Sequence, residues 1–168
     1  MADETKTSQN LKAAFAGESQ ANRKYLAFAK QAEKDGFNQV AKLFRAAAEA
    51  ETIHAHNHLR ALNGIGSTRD NLMEAIAGET HEFKEMYPAM IADAKEEKET
   101  IALRSFMYAN SVEKVHAGLY SAALDNLEKE QEAVEYYICP DCGHTVAGSP
   151  PPMCPFCGVS GSEFYSIG

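Results

Sequence analysis

The chain has 168 residues, of which 45% are hydrophobic, and its formal net charge is −8. This length suits one domain of ordinary size, or one domain with a small module attached. The excess of acidic residues argues against nonspecific nucleic-acid binding, which needs a basic surface. No stretch approaches the roughly 18 consecutive apolar residues of a membrane span, and the start of the chain has no apolar signal segment, so we expect a cytoplasmic protein without a membrane partner.

Four long amphipathic helices are predicted before the last part of the chain. The first begins near residue 8 and ends at a turn around 35–36, the second covers about 37–63, the third begins near 70, and the fourth covers about 98–131. Within the third, Tyr87-Pro88 should kink or break the helix, because an internal proline removes a backbone hydrogen bond and clashes with the preceding turn.

Each predicted helix carries a carboxylate on the face that should be apolar. The four are Glu18, Glu51, Glu79 and Glu113. His54 and His116 follow the second and fourth of them by three residues and lie on the same faces. A single acid or histidine on such a face is most often a core residue with a partner. Chance placement yields roughly 0.6 Glu-x-x-His pairs in a chain of this composition, so two pairs are a weak signal alone.

The spacing of these residues indicates a shared site. Glu18 and Glu51 are 33 positions apart around the first turn, and Glu79 and Glu113 are 34 apart around Glu96. Two antiparallel hairpins would therefore bring each pair to one level, about 24 Å from the bend. The tetrapeptide Ala-Gly-Glu-Ser that contains Glu18 is echoed by Ala-Gly-Glu-Thr around Glu79, which indicates a duplicated helical hairpin.

Four carboxylates and two histidines in a helical core need a counter-charge. Burying unpaired carboxylates is costly, and like charges at one site repel each other. Two divalent or trivalent cations would neutralise them. A Glu from each of two helices, together with Glu-x-x-His from the other two, is the pattern of di-iron carboxylate proteins. The helical residues therefore predict a two-metal site.

The cysteines lie together near the C-terminus. They are Cys139, Cys142, Cys154 and Cys157, arranged as two Cys-x-x-Cys pairs. In a cytosolic protein such pairs indicate a metal site rather than disulfides, and their spacing allows either zinc or a single iron. From Glu135 onward the chain has no Lys or Arg, which suits a nucleic-acid-binding zinc ribbon poorly. This segment has little core, so bound metal should supply much of its stability.

These motifs together resemble those of the rubrerythrin family, non-haem iron proteins of the ferritin-like superfamily. The resemblance covers nearly the whole chain, including the two hairpins, the Met86-Tyr87-Pro88 segment and the rubredoxin-like cysteine pairs. It implies an all-α, ferritin-like four-helix bundle over residues 1–134 and a small rubredoxin-like β module over 135–168. It also implies two iron ions in the bundle, oxo-bridged when oxidised, and one iron held by the four cysteines.

The resemblance assigns roles to individual residues. Those that match constant iron ligands are Glu18, Glu51, Glu79, Glu113 and His116. Glu51 and Glu113 would bridge the two irons. Glu82 matches an additional carboxylate of the family, and one iron would take Glu82 when oxidised and His54 when reduced.

The implied activity is reduction of hydrogen peroxide to water, as a defence against oxidative stress. Electrons would come from a rubredoxin or an NAD(P)H-dependent reductase through the rubredoxin-like iron. Tyr25 and Tyr87 match tyrosines beside the catalytic site, and the alternative for both is a packed core aromatic. Two other functions stay open: a ferritin-like ferroxidase or iron-binding protein, and a regulatory zinc-ribbon protein on a helical scaffold.

The link between the second and third helices predicts a homodimer. Ferritin-like bundles run these helices parallel, which requires a crossover of about 32 Å here. The seven steps from Asn63 to Asp70 reach only about 25 Å when fully extended. We therefore expect a domain-swapped dimer, in which the first hairpin of one chain pairs with the second hairpin of another. By resemblance, the rubredoxin-like iron of one subunit lies near the di-iron site of its partner.

Overall fold

A computed structural model describes residues 5–129 and 133–167 of the chain. It divides into two compact units, Met1–Gly66 and Ser67–Gly168. The helices are α1 (Lys6–Lys34), α2 (Asn38–Ala61), α3 (Thr68–His81), α4 (Tyr87–Glu96) and α5 (Thr100–Asp125). The strands are β1 (Tyr136–Ile138), β2 (Thr145–Ala147) and β3 (Tyr165–Ile167). Within the described ranges, no helix combines the length and the apolar character needed to cross a membrane.

The first unit is a hairpin of α1 and α2. Asn22 contacts Thr52, and Phe28 contacts Phe44 nearer the turn, so the two helices run antiparallel. Gly36 allows the tight reversal between them because its φ of 84° lies in the left-handed region that glycine adopts without strain. The buried contact near the turn consists of small residues, which let the helices approach closely; they are Ala29, Ala32 and Ala41.

The second unit contains a hairpin in which α3 and α4 pack against α5. A capping box starts α3: Ser67 Oγ accepts from the Asp70 N–H at 3.2 Å, and Asp70 Oδ2 accepts from the Ser67 N–H at 3.2 Å. The chain reverses near the predicted position, where Lys98 takes a φ of 60°. The prediction extended α5 too far, since the helix ends at Asp125. Gln131, its predicted end, lies outside the described residues.

The predicted interruption at Tyr87-Pro88 takes the form of a π-helical turn over Glu82–Met86. Here the Tyr87 N–H donates to the Glu82 carbonyl, five residues back. In a regular α-helix the Pro88 ring would collide with the carbonyl of Lys84, and the wider turn removes that clash. Single π-helical turns occur frequently at functional sites. Glu82, a predicted iron ligand, is the first residue of this one.

The cysteine-bearing segment folds into a three-stranded antiparallel sheet in the order β2-β1-β3. In the central strand, Tyr137 pairs with Val146 on one side and with Ser166 on the other. The small core below the sheet is built around Cys139, Cys154 and Phe164. Because Cys139 and Cys154 belong to this core, the cysteine cluster is part of what holds the module together.

Each helical hairpin leaves large apolar side chains uncovered. In the first unit, Leu43 is 68% exposed and Ile53 is 54% exposed. In the second, Ile101 is 77% exposed and Met73 is 55% exposed. Apolar side chains of this size are usually covered when a helical surface contacts another protein.

Candidate metal centres

The first hairpin gathers three of the predicted ligands. Glu18 of α1 and Glu51 and His54 of α2 each offer a donor atom, and these atoms lie within 4.8 Å of one another. His54 Nδ1 is 2.9 Å from Glu51 Oε2. The His54 side chain is 54% exposed, whereas that of Glu51 is 18% exposed. We call this group of three residues the first half-site.

A hydrogen-bonded asparagine holds α1 against α2 beside the first half-site. Asn22 lies one helical turn after Glu18, and its Nδ2 donates to the Ala48 carbonyl at 2.7 Å and to Thr52 Oγ1 at 2.8 Å. Thr52 follows Glu51 directly. This bridge therefore fixes the level at which the carboxylates of the two helices meet.

The second hairpin gathers the corresponding three residues. Glu79 of α3 and Glu113 and His116 of α5 offer donor atoms within 4.8 Å of one another. His116 Nδ1 lies 2.7 Å from Glu113 Oε2 and 3.7 Å from Glu79 Oε1. All three side chains are largely buried, with exposed fractions of 19% for Glu79, 16% for Glu113 and 26% for His116. We call this group the second half-site.

Negative charge accumulates at the second half-site. Burial raises the pKa of Glu79 above its usual value, and the neighbouring Glu113 carboxylate raises it further. Burial also raises the pKa of Tyr87, with added contributions from the charges of Glu113 and Glu82. A bound cation would relieve this repulsion. Hard carboxylate oxygens combined with an imidazole nitrogen suit iron, so the donor set fits the predicted metal.

Three predicted site residues lie outside these two groups. Glu82 is half-buried at the start of the π-helical turn, and its charge acts on Tyr87. The Tyr87 ring lies 6.3 Å from that of Phe106, measured between centroids. Tyr25 packs against Phe44 at 6.1 Å, within an aromatic cluster of the first hairpin. The roles of all three residues in a reaction stay predictions.

The four cysteine sulfurs form a compact cluster, with all Sγ atoms within 4.8 Å of one another. The Cys139 and Cys157 sulfurs are 3.4 Å apart, and those of Cys142 and Cys154 are 3.5 Å apart. A disulfide needs about 2.05 Å, so the cysteines are not bonded in pairs. Four sulfurs at about 2.3 Å from a central metal would be about 3.8 Å from one another, close to the observed spacing.

Two matching turns present the cysteines. Gly143 donates its N–H to the Cys139 carbonyl at 3.0 Å, and Gly158 donates to the Cys154 carbonyl at 3.0 Å. The two glycines have φ values of 80° and 81°. Burial pushes the pKa of Cys154 upward, but N–H donors of Cys157 and Phe156 and the neighbouring thiols lower it to about 7. Burial raises the pKa of Cys142, and it raises that of Cys157 to about 11. Cys154 is therefore the thiol whose N–H donors favour the thiolate, the form that binds metal.

Two residues beside the cysteines were missed from the sequence. His144 is 9% exposed, its ring meets that of Phe156 edge-on at 4.7 Å, and its Nδ1 is 3.8 Å from Cys154 Sγ. Thr145 Oγ1 lies 2.9 Å from His116 Nε2. The sequence offered one signal for them: His144 and Thr145 are polar, and they directly follow the first Cys-x-x-Cys turn, where β2 begins. That signal says nothing about the partners, which are distant along the chain.

Comparisons with known proteins agree with this geometry. A family model described as Rubrerythrin matches residues 9–124. Rubrerythrin-2 of Clostridium acetobutylicum is 37% identical over 177 residues, which cover 96% of this chain and 96% of that protein. Rubrerythrin of Nitratidesulfovibrio vulgaris is 32% identical, with 98% of this chain and 95% of that protein covered.

Solved structures show the same likeness. Nigerythrin in its fully reduced, all-ferrous state matches with a TM-score of 0.59 and 34% identity, covering 99% of this chain and 92% of that chain. Partially reduced nigerythrin matches with the same TM-score and identity. The predicted fold class, a four-helix bundle followed by a small cysteine-bearing sheet, is confirmed by this likeness.

Proposed function

Because this chain belongs to the rubrerythrin family, we propose that it is a non-haem di-iron peroxidase that reduces hydrogen peroxide to water. The observation that carries the proposal is the presence of two Glu/Glu/His half-sites and a four-cysteine cluster in one chain. The half-sites suit two hard metal ions, and the thiolate cluster suits a one-electron carrier. Together they provide both the site of a two-electron reduction and a means of resupplying it, as a defence against oxidative stress requires.

Seven helical side chains would hold the two bundle irons; they are Glu18, Glu51, His54, Glu79, Glu82, Glu113 and His116. Bound in the ferrous state, two such ions supply the two electrons that turn hydrogen peroxide and two protons into two water molecules. The low exposure of Glu51 and Glu113, 18% and 16%, suits fixed bridging ligands. The 54% exposure of His54 suits a ligand that moves.

The side chains that surround the carboxylates would bind and donate the protons that the reaction consumes. Tyr87 keeps its phenolic proton because burial and the nearby carboxylate charges raise its pKa. Its hydroxyl can therefore donate a hydrogen bond near the reacting oxygens. Glu79 binds a proton more readily than an exposed glutamate for the same physical reasons. Tyr25 would take the corresponding place on the side of the first half-site.

The cysteine cluster would receive electrons singly from a rubredoxin or an NAD(P)H-dependent reductase. Cys139, Cys142, Cys154 and Cys157 would hold the iron, whose potential depends on hydrogen bonds to sulfur and on burial. The cluster is the feature that separates this proposal from iron storage, since a ferroxidase that uses oxygen needs no such carrier.

Metal analysis followed by an anaerobic peroxidase assay tests the proposal, with wild type compared with Cys154→Ser. The variant should retain bundle iron, and after chemical reduction it should still consume peroxide in a single turnover. Its turnover with a protein donor should fall by at least about 100-fold, because the electron carrier is lost. Full donor-linked turnover in the variant would contradict the relay.

The alternative functions give different results in the same samples. A ferroxidase would oxidise added ferrous ion with oxygen, accumulate ferric ion beyond the two bound in each site, and be indifferent to Cys154→Ser. A regulatory zinc-ribbon protein would contain zinc in the cysteine cluster and would consume no peroxide.

The working assembly that we propose is a domain-swapped homodimer. Glu51 is ten residues from the end of α2 and Glu79 is eleven from the start of α3, so a link between parallel helices must cover about 32 Å. The seven steps from Ala61 to Thr68 reach about 25 Å at most. The exposed apolar side chains of both hairpins are further support, since a second copy offers each hairpin the matching surface.

Complementation between two inactive variants tests the swap. Glu51→Ala disables the first hairpin and Glu113→Ala the second, so neither variant should turn over peroxide alone. In a swapped mixed dimer, one site combines the two intact hairpins, and about half of the wild-type turnover returns. Glu18→Ala mixed with Glu51→Ala is the matched control, because both changes lie in the first hairpin and no intact site can form. No recovery in the first mixture would exclude swapping.

A further inference from the structure

A polar groove runs along the first hairpin between α1 and α2. Its volume is about 220 Å³. The polar part of its lining consists of Ser19, Asn22 and Arg23 from α1 and Glu51, Thr52 and His56 from α2. Apolar side chains form the rest of the lining. Because Glu51 also belongs to the first half-site, the groove reaches one of the predicted metal ligands.

The groove opens on the side of the hairpin that faces away from His54. Residues two apart on an α-helix point about 200° from one another, so His54 and His56 lie on nearly opposite sides of α2. On α1, Arg23 is turned about 140° from Glu18 by the same rotation per residue. Arg23 and His56 are exposed at the mouth of the groove, whereas the Glu51 side chain is only 18% exposed. The groove therefore runs inward from solvent to Glu51.

Hydrogen bonds within the hairpin fix the walls of the groove. Ser19 Oγ donates to the Phe15 carbonyl at 2.7 Å, which holds the hydroxyl against its own helix. Asn22 Nδ2 donates to the Ala48 carbonyl and to Thr52 Oγ1, which holds the amide against α2. Thr52 Oγ1 in turn donates to the Ala48 carbonyl at 3.2 Å. These polar side chains are tied to the helices, so the space between them is preformed.

The second hairpin differs at the matching positions. Phe83 stands at the position of Asn22, and Lys84 stands at that of Arg23. The Lys84 Nζ lies 5.7 Å from the centre of the Phe83 ring, a distance at which the cation and the ring attract each other. An aromatic ring covered by a cation thus replaces the amide and the exposed guanidinium of the first hairpin. The duplicated pattern has therefore diverged at the groove.

The lining of the groove suits small, polar, uncharged molecules. A space of this volume has room for several water molecules, and the hydroxyl and amide groups offer them hydrogen-bond partners. Hydrogen peroxide is one oxygen atom larger than water and uses the same kinds of donor and acceptor. The Arg23 guanidinium is always charged and repels cations from the mouth, which disfavours ferrous ion as the solute.

We propose that this groove is the passage through which hydrogen peroxide reaches the first half-site and product water leaves it. The inference rests on the proposed function for the identity of the solute. In the proposed dimer, a second hairpin covers the face that carries Glu18 and His54, so a passage from the opposite face is required. Each turnover would admit one peroxide and two protons and release two water molecules, with both electrons supplied by the ferrous ions.

A thiol placed in the groove tests the passage without any reaction at iron. Thr52→Cys provides the thiol, and mass spectrometry follows its modification by methyl methanethiosulfonate, a small neutral reagent. The full-length protein is used with zinc in the cysteine cluster and no bundle metal. Adding Ser19→Phe should slow the modification by at least about tenfold, because the reagent must wait for the ring to move. Gln20→Phe, which adds the same ring at the next, exposed position of α1, should leave the rate unchanged.

The two phenylalanine substitutions are then compared in protein loaded with ferrous ion. Stopped-flow mixing with hydrogen peroxide gives the second-order rate constant for oxidation of the bundle iron. Ser19→Phe should lower this constant by at least about tenfold at unchanged iron content, whereas Gln20→Phe should match wild type. The rate at which Co²⁺ fills the empty bundle sites should not change in either variant, since the groove is not the route for cations.

Three results would overturn the proposal. They are an unchanged peroxide rate in a variant whose introduced thiol is shielded, equal slowing by Gln20→Phe, and slowing of Co²⁺ entry by the same factor as that of peroxide. If Ser19→Phe leaves the thiol reactive, His56→Trp is added from the opposite wall. A thiol that then still reacts at its original rate would show that the groove is not the passage.

Two further comparisons separate the possible causes of failure. Ser19→Leu replaces Ser19→Phe if circular dichroism shows that the larger ring prevents folding. A wild-type protein that does not react with peroxide refutes the proposed function. The thiol rates still decide, in that case, whether small polar molecules pass through the groove to Glu51.

Discussion

The two half-sites have the same residue types at the same spacing, yet their histidines are held differently. His54 has one ring nitrogen beside Glu51 and a side chain that is 54% exposed. His116 has partners at both nitrogens and is 26% exposed. A duplicated sequence pattern can thus produce one loosely held and one fixed histidine. The second partner of His116 comes from the cysteine module, where Thr145 Oγ1 lies 2.9 Å from His116 Nε2.

Removing each histidine gives the largest expected contrast. His116→Ala should lower the affinity of the protein for ferrous ion by about 100-fold or more, because it removes a predicted ligand whose ring already has partners at both nitrogens. His54→Ala should lower it by about tenfold or less, since its exposed ring must first be ordered. Calorimetric titration under anaerobic conditions measures both. Equal losses would show that the two half-sites are equivalent.

The two cysteine turns, by contrast, should respond alike. Gly143→Ala and Gly158→Ala each place a side chain at a φ near 80°, where nothing lies within 4 Å of the added carbon. Backbone strain alone should therefore cost about 1–2 kcal/mol in each case. Guanidinium unfolding of the metal-loaded module measures the loss. Gly118→Ala, in open space on α5 without positive φ, is the control and should not destabilise.

The asparagine bridge is found in the first hairpin, and the corresponding position of the second is Phe83. Asn22→Ala should cost about 1 kcal/mol, the usual net value of a lost hydrogen bond. For a chain of this size, that corresponds to a fall in Tm of about 2–4 °C. Gln20→Ala removes an exposed side chain that accepts from Lys24 Nζ at 3.1 Å on the same helix, and should leave Tm nearly unchanged. A similar loss from both would mean that the bridge contributes nothing specific.

The smallest effect concerns charge in the second half-site. The folded-state pKa of Glu79 is raised above 4.5, so its contribution to stability is present below that pH and is lost as the pH rises through the folded pKa. In protein without bundle metal, Glu79→Gln should therefore raise Tm at neutral pH by about 2–4 °C, equivalent to about 1 kcal/mol. Below about pH 4 the gain should vanish, because Glu79 is then protonated.

Glu18→Gln, the matching substitution in the first hairpin, is the control for the effect of replacing a carboxylate with an amide. With ferrous ion bound, Glu79→Gln should instead lower Tm, since glutamine is a poorer ligand than a carboxylate. A gain in Tm that persists below pH 4 would show that the effect is not electrostatic.

The helices and their turns were predictable because their signals are local. Apolar periodicity over several turns identifies each helix, and Asp35-Gly36 marks the first reversal correctly. Helix ends were less certain, because side-chain caps decide them: the Ser67 box starts α3 before Asp70. The π-helical turn was anticipated only as an interruption, since a proline can be accommodated by a kink, a break or a wider turn.

The sequence by itself determined which side chains are available and at what level they meet. Hairpins of fixed rise per residue bring Glu18 to Glu51 and Glu79 to Glu113 whatever surrounds them. Only the tertiary structure decided which nitrogen of His116 faces those carboxylates. Nδ1 faces Glu113, and Nε2 lies 2.9 Å from Thr145 Oγ1, which is 29 residues away in a separate sheet. Helical periodicity carries no information about such a contact, because it repeats every few residues and ends with its own helix.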